Sequence, residues 1–479
     1  MKPYSRLIVA VALIGRGEAP LHMHASESSL QRRWALLMRR LLFAFAGLSL
    51  IVPAVQAQTP TNLRVLYRVL VNGTDRMTTI GSGERVLFPL EGQIYYISQN
   101  SDLGSEPLYR MLSFSGTDHA DSTISLPGYF TEGILGYPWQ GASRPGLSVL
   151  YEAINPNTGD HALVRPSESL PDYIGSPLGV YGYPRFGTAK HKLLSLSAGG
   201  VTVQSNQVAG GSLWHWFWDG VQYVSTWDYG RQIQSAFCFT NCAANPTEAG
   251  DTFSAQFIDP SLRHGSPALR CENRGETQIT RSVPLNFDPT VYPGGDEDDP
   301  VIWSSMVLGK DLTLDFHGLG PVARYTTHFK LPKETVGTLT TVTAYLRASF
   351  NRFWTYDAES GTLTEVTNQM PDACPHDDGY FFAPNFGGII LSDATGDHAM
   401  GTYAVNVDVG GSVSYFVLFK YLCLHDGTAE TSFDTNVLLV NRGEELFPPG
   451  DTTYNAYFVT DKLHNVVAKM NVLYHLGVR

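Results

Sequence analysis

Leu66-Tyr67-Arg68-Val69-Leu70 returns as Leu108-Tyr109-Arg110-Met111-Leu112 and again as Leu150-Tyr151-Glu152-Ala153-Ile154, with the three tyrosines 42 residues apart. A turn marker follows each run: Gly73-Thr74-Asp75-Arg76, Gly116-Thr117-Asp118-His119 and Thr158-Gly159-Asp160-His161. Each unit then closes on an aromatic stretch, Ile94-Tyr95-Tyr96, Ile134-Leu135-Gly136-Tyr137 and Val180-Tyr181-Gly182-Tyr183. A period of this length belongs to solenoids, propellers and closed threefold arrays. The units read as strands, apolar or aromatic runs bounded by Gly, Asn, Asp and Pro. Three are too few for a propeller, whereas three four-stranded units closing on one another leave no sheet edge open. The expected fold class is all-β, with a β-trefoil-like threefold repeat domain over residues 64–187.

On the N-terminal side, residues 1–57 read as an extension and signal peptide. Arg39 and Arg40 precede an apolar run from Leu41 to Val52, and Val55-Gln56-Ala57 supplies the small-residue cleavage pattern. Met38 stands just before the arginine pair and is the expected true start. The run is too short to span a bilayer comfortably, and no later segment reads as a membrane span, so the expected location is secreted or periplasmic. Five cysteines suit an oxidising compartment. Cys238 and Cys242 are spaced to close a small loop, while Cys271, Cys374 and Cys423 leave one odd thiol whichever pairs form. No CxxC pair or nearby histidine pair offers four converging ligands, so disulfides are expected in preference to a metal.

The chain has 479 residues, 43% of them hydrophobic and 16% charged, which is enough apolar surface for two cores. A net charge of −12 argues against a nucleic-acid groove, which needs clustered Lys and Arg. From about residue 190 to 479 the chain alternates over many strands, including Leu193 to Leu196, Val201 to Gln204, Leu213 to Trp218, Val405 to Val409 and Tyr415 to Phe419. Gly199-Gly200, Asp219-Gly220, Gly387-Gly388 and Gly410-Gly411 punctuate them. The pattern predicts a large antiparallel β-sandwich with one C-terminal helix. Leu463, Val466, Val467, Met470 and Leu473 fall at helical spacing between Asp461 and Tyr474, with Thr460 or Asp461 as cap.

The densest polar stretch is Trp227-Asp228-Tyr229-Gly230-Arg231-Gln232-Ile233-Gln234, followed by Asn245-Pro246-Thr247-Glu248-Ala249-Gly250-Asp251. Polar residues so close in a strand-forming region either line a cleft or pair with one another. Asp296 to Asp299 and His376-Asp377-Asp378 read as solvated loops rather than calcium ligands. Neither G-x-S-x-G, H-E-x-x-H nor a P-loop occurs, and Gly318-Leu319-Gly320 lacks the third glycine of a dinucleotide fingerprint, so no cofactor is expected.

The LYR…GTDH…EGI-GY pattern resembles the modules of a widespread bacterial repeat family often attached to exported proteins. Residues 106–139 and 148–183 carry the likeness, and the first unit departs from it with Arg76 where the others have His119 and His161. The trefoil form it implies often binds sugars through an Asp and an aromatic ring in each repeat, which makes Asp118 and Asp160, near Trp139, candidate glycan contacts. The same Asp is equally hairpin-turn chemistry, and the repeated Tyr is equally core chemistry. The D-x-G-R-x-x-Q run over Asp228 to Gln234 and the N-P-T-x-A-G run from Asn245 resemble exported bacterial proteins with a galactose-mutarotase-like supersandwich. Arg352 to Asp357 and His398 to Tyr403 extend that resemblance.

Such sandwiches hold carbohydrate, and the enzymes among them epimerise, hydrolyse or eliminate, which requires a proton donor and an acceptor. Glu248, Asp228, His317 and His328 are the acid–base candidates. Arg231, Arg324 and Arg352 suit an acidic sugar's carboxylate, Gln234 and Asn245 are polar contacts, and Trp354 suits stacking. Relatives often carry His where this chain has Tyr229. The expected function is a secreted carbohydrate-recognition protein that binds a glycan or cell-wall polysaccharide, with no nucleic acid and no membrane partner after cleavage. A carbohydrate-active enzyme and a protein-binding module are the alternatives, and oligomeric state is not set by the sequence.

Overall fold

The structure is a computed structural model that describes residues 61–478 apart from 102–103, 143–146, 166–167, 185–192, 226–232, 240–243, 251–264, 288–300, 304, 371–378, 385–386, 405–413 and 422–434. The export segment, the cleft candidates Asp228 and Arg231, the acidic run at 296–299, His376 to Asp378 and the Val405 to Val409 strand lie outside the described residues, as do Cys242, Cys374 and Cys423. Cys238 is disulfide-bonded.

Each repeat unit folds as one central strand paired on both sides. The first is β1 (Thr61–Val71), β2 (Asp75–Thr79) and β3 (Leu90–Ser98); the second is β4 (Leu108–Ser113), β5 (His119–Ser122) and β6 (Tyr129–Gly136); the third is β7 (Ser148–Ile154), β8 (His161–Val164) and β9 (Ile174–Pro184). In all three the opening strand pairs with both others. Each unit therefore supplies three strands rather than the expected four. A register shift beside Tyr67, Tyr109 and Tyr151 bends the pairing, and such a bulge lets one long strand turn a corner that would otherwise need two. Bridges from Ser98 to Tyr137 and from Trp139 to Tyr181, with Tyr96 against Tyr183, join the units in a closed cycle.

The buried layer common to the three units is the leucine before each tyrosine. Leu66, Leu108 and Leu150 are fully buried and meet Ile94, Leu135 and Val180. Tyr67 is buried as well, but Tyr109 and Tyr151 are only half-buried, so the repeated tyrosine is not the symmetric core residue.

The rest of the chain is an all-β antiparallel sandwich. In one sheet Thr335–Arg347 pairs with Ile233–Phe239 and with Thr435–Phe447, which continues to Ser414–Tyr421 and Gly379–Pro384. Joined to it are β10 (Leu193–Ala198), β11 (Val201–Asn206) and β12 (Ser212–Trp218). Among the described residues the facing sheet has nine strands and includes Val307–Thr313, Val322–Leu331 and Gly450–Asp461. Trp216, Tyr325, Val342, Phe353, Leu391, Phe458 and their neighbours fill the space between. The C-terminal helix, Leu463–His475, lies on the outside of the second sheet with Val466, Met470 and Leu473 buried. A cluster of Leu63, Val65, Tyr67, Tyr96, Trp139 and Tyr183 with Val283 and Leu285 joins the repeat units to the sandwich, and Gln56–Arg479 is one compact unit.

Candidate functional site

The turn marker of each repeat delivers its aspartate to the threefold axis. Carboxylate oxygens of Asp75, Asp118 and Asp160 lie within 4.8 Å of one another, a spacing a hard cation can bridge. Each carboxylate instead clasps the next unit. Asp75 accepts the His119 N–H at 3.1 Å, Asp118 the His161 N–H at 3.1 Å, and Asp160 the Arg76 N–H at 3.0 Å. The second oxygen of each is also engaged: by His119 Nδ1 at 2.6 Å on Asp75, and by the hydroxyls of Tyr129 and Tyr173 on Asp118 and Asp160. All six oxygens have a donor, so the ring closes the three units on one another. Arg76 serves where the others have histidine, through its backbone N–H and through Glu91 and Tyr173.

The charges around this ring are unusual. Burial alone would lower His119 and His161, but the hydrogen bonds and charges of Asp75 on the first and Glu152 on the second outweigh it, so both are raised. Burial pushes Asp118 up against the donors Tyr129 and His161. Asp121 is pushed up to about 7 by burial, with the Glu152 charge adding to it and the Thr78 hydroxyl opposing it.

In the sandwich the acid–base candidates among the described residues, Glu248, His317 and His328, have separate surroundings. Glu248 is fully buried and so is Lys310, and the two form an ion pair. Lys310 Nζ also donates to Gly211 O at 2.6 Å and Thr280 Oγ1 at 3.2 Å, while Glu248 accepts from Thr280 Oγ1 at 2.9 Å, Ser235 N at 3.2 Å and Tyr325 OH at 3.3 Å. Burial pushes the lysine down and Glu248 pulls it back up. A Cβ on Gly210 would stand 1.8 Å from Glu248 O, so only glycine lets the 206–212 turn seal the pair. Among the described residues Glu248 is enclosed and serves as the counter-ion of Lys310, an arrangement different from the acid–base role expected of it. Gln234 accepts Ala249 N–H at 2.9 Å, and the Asn245 N–H donates to Asn286 Oδ1 at 2.7 Å, so both brace the same segment.

The remaining candidates are scattered over the second sheet. His328 faces Asp311 at 3.1 Å, and Asp311 also meets Arg281; burial opposes the charge of Asp311, but these two partners hold it down at about 2. Arg352 forms a two-pronged pair with Glu365, 3.0 and 2.7 Å, and lies 4.5 Å over the Trp354 ring, whose Nε1 donates to Ser392 Oγ at 3.0 Å. Trp354 is thereby covered rather than open for stacking. Arg324 lies over Phe316, beside the exposed His317.

Two arrangements escaped the sequence reading. On the solvent side of β10–β12, Ser195, Gln204 and His215 form one cross-strand row, and Ser197, Thr202 and Phe217 the next. His215 Nδ1 and Gln204 Oε1 are 2.6 Å apart, and the His215 and Phe217 rings are 5.4 Å apart. At the sandwich end, His398 Nδ1 lies 3.0 Å from Asp393 Oδ2, and its Nε2 faces Asp219 at 3.9 Å beside the Trp218 ring. Asp393 Oδ1 is pinned by the N–H groups of Thr395, Gly396 and Asp397. The signal for this dyad is the Asp393-Ala-Thr-Gly-Asp-His398 spacing, a side-chain-capped turn that brings its first and last residues together.

No protein-family model matches the chain, and no curated protein does. Among solved structures it is similar to a TPR-domain containing protein from Parabacteroides distasonis, at 10% identity over 67% of this chain and 56% of that one, with a TM-score of 0.35. It thus spans little more than half the length of that protein. It is also similar to a galactose mutarotase-like protein from Lactobacillus casei, at 9% identity over 56% of this chain and 99% of that one with a TM-score of 0.34. A galactose mutarotase-like protein from Clostridium acetobutylicum shows 10% identity over 58% and 96%, with a TM-score of 0.33.

Proposed function

We propose that this chain is an exported carbohydrate-recognition protein that holds a glycan or cell-wall polysaccharide on the solvent side of β10–β12. The observation that carries the reading is the strip of Ser195, Gln204, His215 and Phe217 with Ser197 and Thr202. Hydroxyl, amide and imidazole groups stand at sheet spacing beside a half-buried ring, the mixture of fixed polar groups and apolar surface that sugar recognition uses. The export segment and the mutarotase-like motifs support an extracellular glycan as the partner.

A glycan array together with sedimentation on insoluble cell-wall polysaccharides tests the proposal. Phe217→Ala and Gln204→Ala are expected to weaken binding roughly tenfold or more, the loss of a ring contact or an amide hydrogen bond in a desolvated site, with an unchanged unfolding midpoint. Silence of the folded wild-type protein across both assays removes the idea.

The Asp393–His398 dyad favours a second reading, a carbohydrate-active enzyme. A carboxylate on Nδ1 fixes the tautomer and leaves Nε2 to move a proton, with Asp219 as the second carboxylate. If the protein releases unsaturated products or new reducing ends from uronic or neutral polysaccharides, His398→Ala is expected to lower the rate at least about a hundredfold. Unchanged turnover in that variant sinks the assignment.

A further inference from the structure

Arg324 lies on the strand Val322–Leu331, registered against Thr313 on one side and Tyr457 on the other. Its guanidinium carbon is 5.3 Å from the centre of the Phe316 ring. Its Nε is buried and has no hydrogen-bond partner, and it has no carboxylate partner among the described residues. Several other described arginines are paired with acids. Arg352 is held by Glu365, Arg281 by Asp311, and Arg68, Arg76 and Arg110 each by a glutamate. The enclosed Nε fixes the guanidinium in place, and its terminal nitrogens, on a half-buried residue, are the donors left for a ligand.

The turn beside Arg324 has a fixed shape. Asp315 has φ 49° and His317 φ 57°, both in the left-handed region, and Asp315 Oδ1 accepts Gly320 N–H at 2.8 Å, which locks the turn. His317 is exposed, with its ring 4.3 Å from that of Phe316 and nearly perpendicular to it. Backbone held in sparsely populated conformations concentrates where a chain presents groups to a ligand.

We infer that Arg324, floored by Phe316 and flanked by His317, binds the carboxylate of a uronic acid residue, an inference that rests on the glycan-binding reading. The planar guanidinium fork matches a carboxylate bidentately, its aromatic floor limits the plane of the fork, and the exposed His317, next in the chain to Phe316, offers a ring nitrogen to neighbouring hydroxyls. The glycan is then an acidic one, although the protein itself is acidic.

The test is titration calorimetry of the wild type, Arg324→Gln and Arg324→Lys with a galacturonate oligosaccharide, its carboxyl-reduced neutral counterpart and inorganic phosphate. Near-UV circular dichroism checks the fold of each variant. The wild type is expected to prefer the uronate over the neutral sugar roughly tenfold or more, the worth of hydrogen bonds to a charged group. Arg324→Gln erases that preference without weakening the neutral sugar, and Arg324→Lys keeps part of it. Equal binding of charged and neutral sugars by the wild type, or a preference that survives in Arg324→Gln, overturns the carboxylate site and leaves glycan recognition standing. Arg324-dependent phosphate binding with no sugar bound overturns the uronate assignment and leaves an oxyanion site of another kind. No binding to any of the three overturns the carboxylate site, while the glycan reading stands or falls on the array and the cell-wall polysaccharides.

Discussion

Glu248→Gln is expected to lower the free energy of unfolding by about 3–5 kcal/mol, the usual cost of removing one partner of a buried ion pair. The reason is what stays behind. Lys310 is fully buried, and without the negative charge its ammonium is left uncompensated beside the neutral Gly211 O and Thr280 Oγ1. Glutamine has one oxygen where glutamate has two, so either Lys310 or the Ser235 N–H and the Tyr325 hydroxyl meet an NH2 donor in place of an acceptor. The pair variant Glu248→Gln with Lys310→Met is expected to recover most of the loss, because a buried pair exchanged for groups of similar volume is close to neutral. Urea unfolding at pH 7 reads both, as midpoint shifts at constant slope. A Glu248→Gln protein as stable as the wild type but without its sugar binding or turnover would return Glu248 to chemistry.

The second large effect concerns pH. The repeat units should be most stable near pH 5 and weaken as pH rises toward 8. Asp121 has a folded-state value of about 7, well above that of a free aspartate. Between those values the folded state binds more protons than the unfolded one, so stability declines as pH rises through the interval, by about 4 kcal/mol for this one group. Burial is the main cause, and Glu152, Arg110, His119 and Thr78 are the groups that face it.

His119 and His161 act in the same direction at higher pH. Both are raised, so the stability they supply is fully present below the ordinary histidine value and is lost as pH rises through their folded values. Asp75, Glu132 and Arg110 face the first, and Glu152, Asp118 and Asp160 the second. On the acid side Glu168 opposes. Burial alone would raise it, but Arg68 and Arg165 hold it at about 2, so its contribution is present above the ordinary glutamate value and lost below it. Unfolding followed at pH 5, 6, 7 and 8 checks the slope, and Asp121→Asn should flatten the part below pH 7. Stability that climbs from pH 5 to 8, or a slope unchanged in Asp121→Asn, would contradict the charge arrangement around the ring.

Much of the fold could be read from spacing. The 42-residue period marked three equivalent units because three copies of one strand pattern repeat the same physical solution, but it pointed to the tyrosine rather than the preceding leucine as the shared core residue and did not place the aspartates on the axis. The helix was legible from Leu463, Val466, Met470 and Leu473, but not its start. Lys462 is the N-cap and makes no side-chain cap bond, while Asp461, expected as cap, holds Lys469 and Asn465. Glu248 was misjudged because its partner is 62 residues away. The signal was present in Leu308-Gly309-Lys310-Asp311-Leu312, where Lys310 falls in phase with two core leucines, and a lysine on a buried face requires a buried acid. The polar strip on β10–β12 was hidden for another reason. Its residues alternate with core residues as on any half-exposed sheet, and only pairing across three strands brings them into rows.

The most direct test of glycan recognition on β10–β12 is an amide hydrogen-exchange map of residues 58–479 with and without the best-bound polysaccharide. The account predicts slowed exchange in Leu193–Asn206 and Ser212–Trp218 that disappears in Phe217→Ala. Slowing confined to the repeat units between Thr61 and Pro184, or the same slowing in Phe217→Ala, would contradict it.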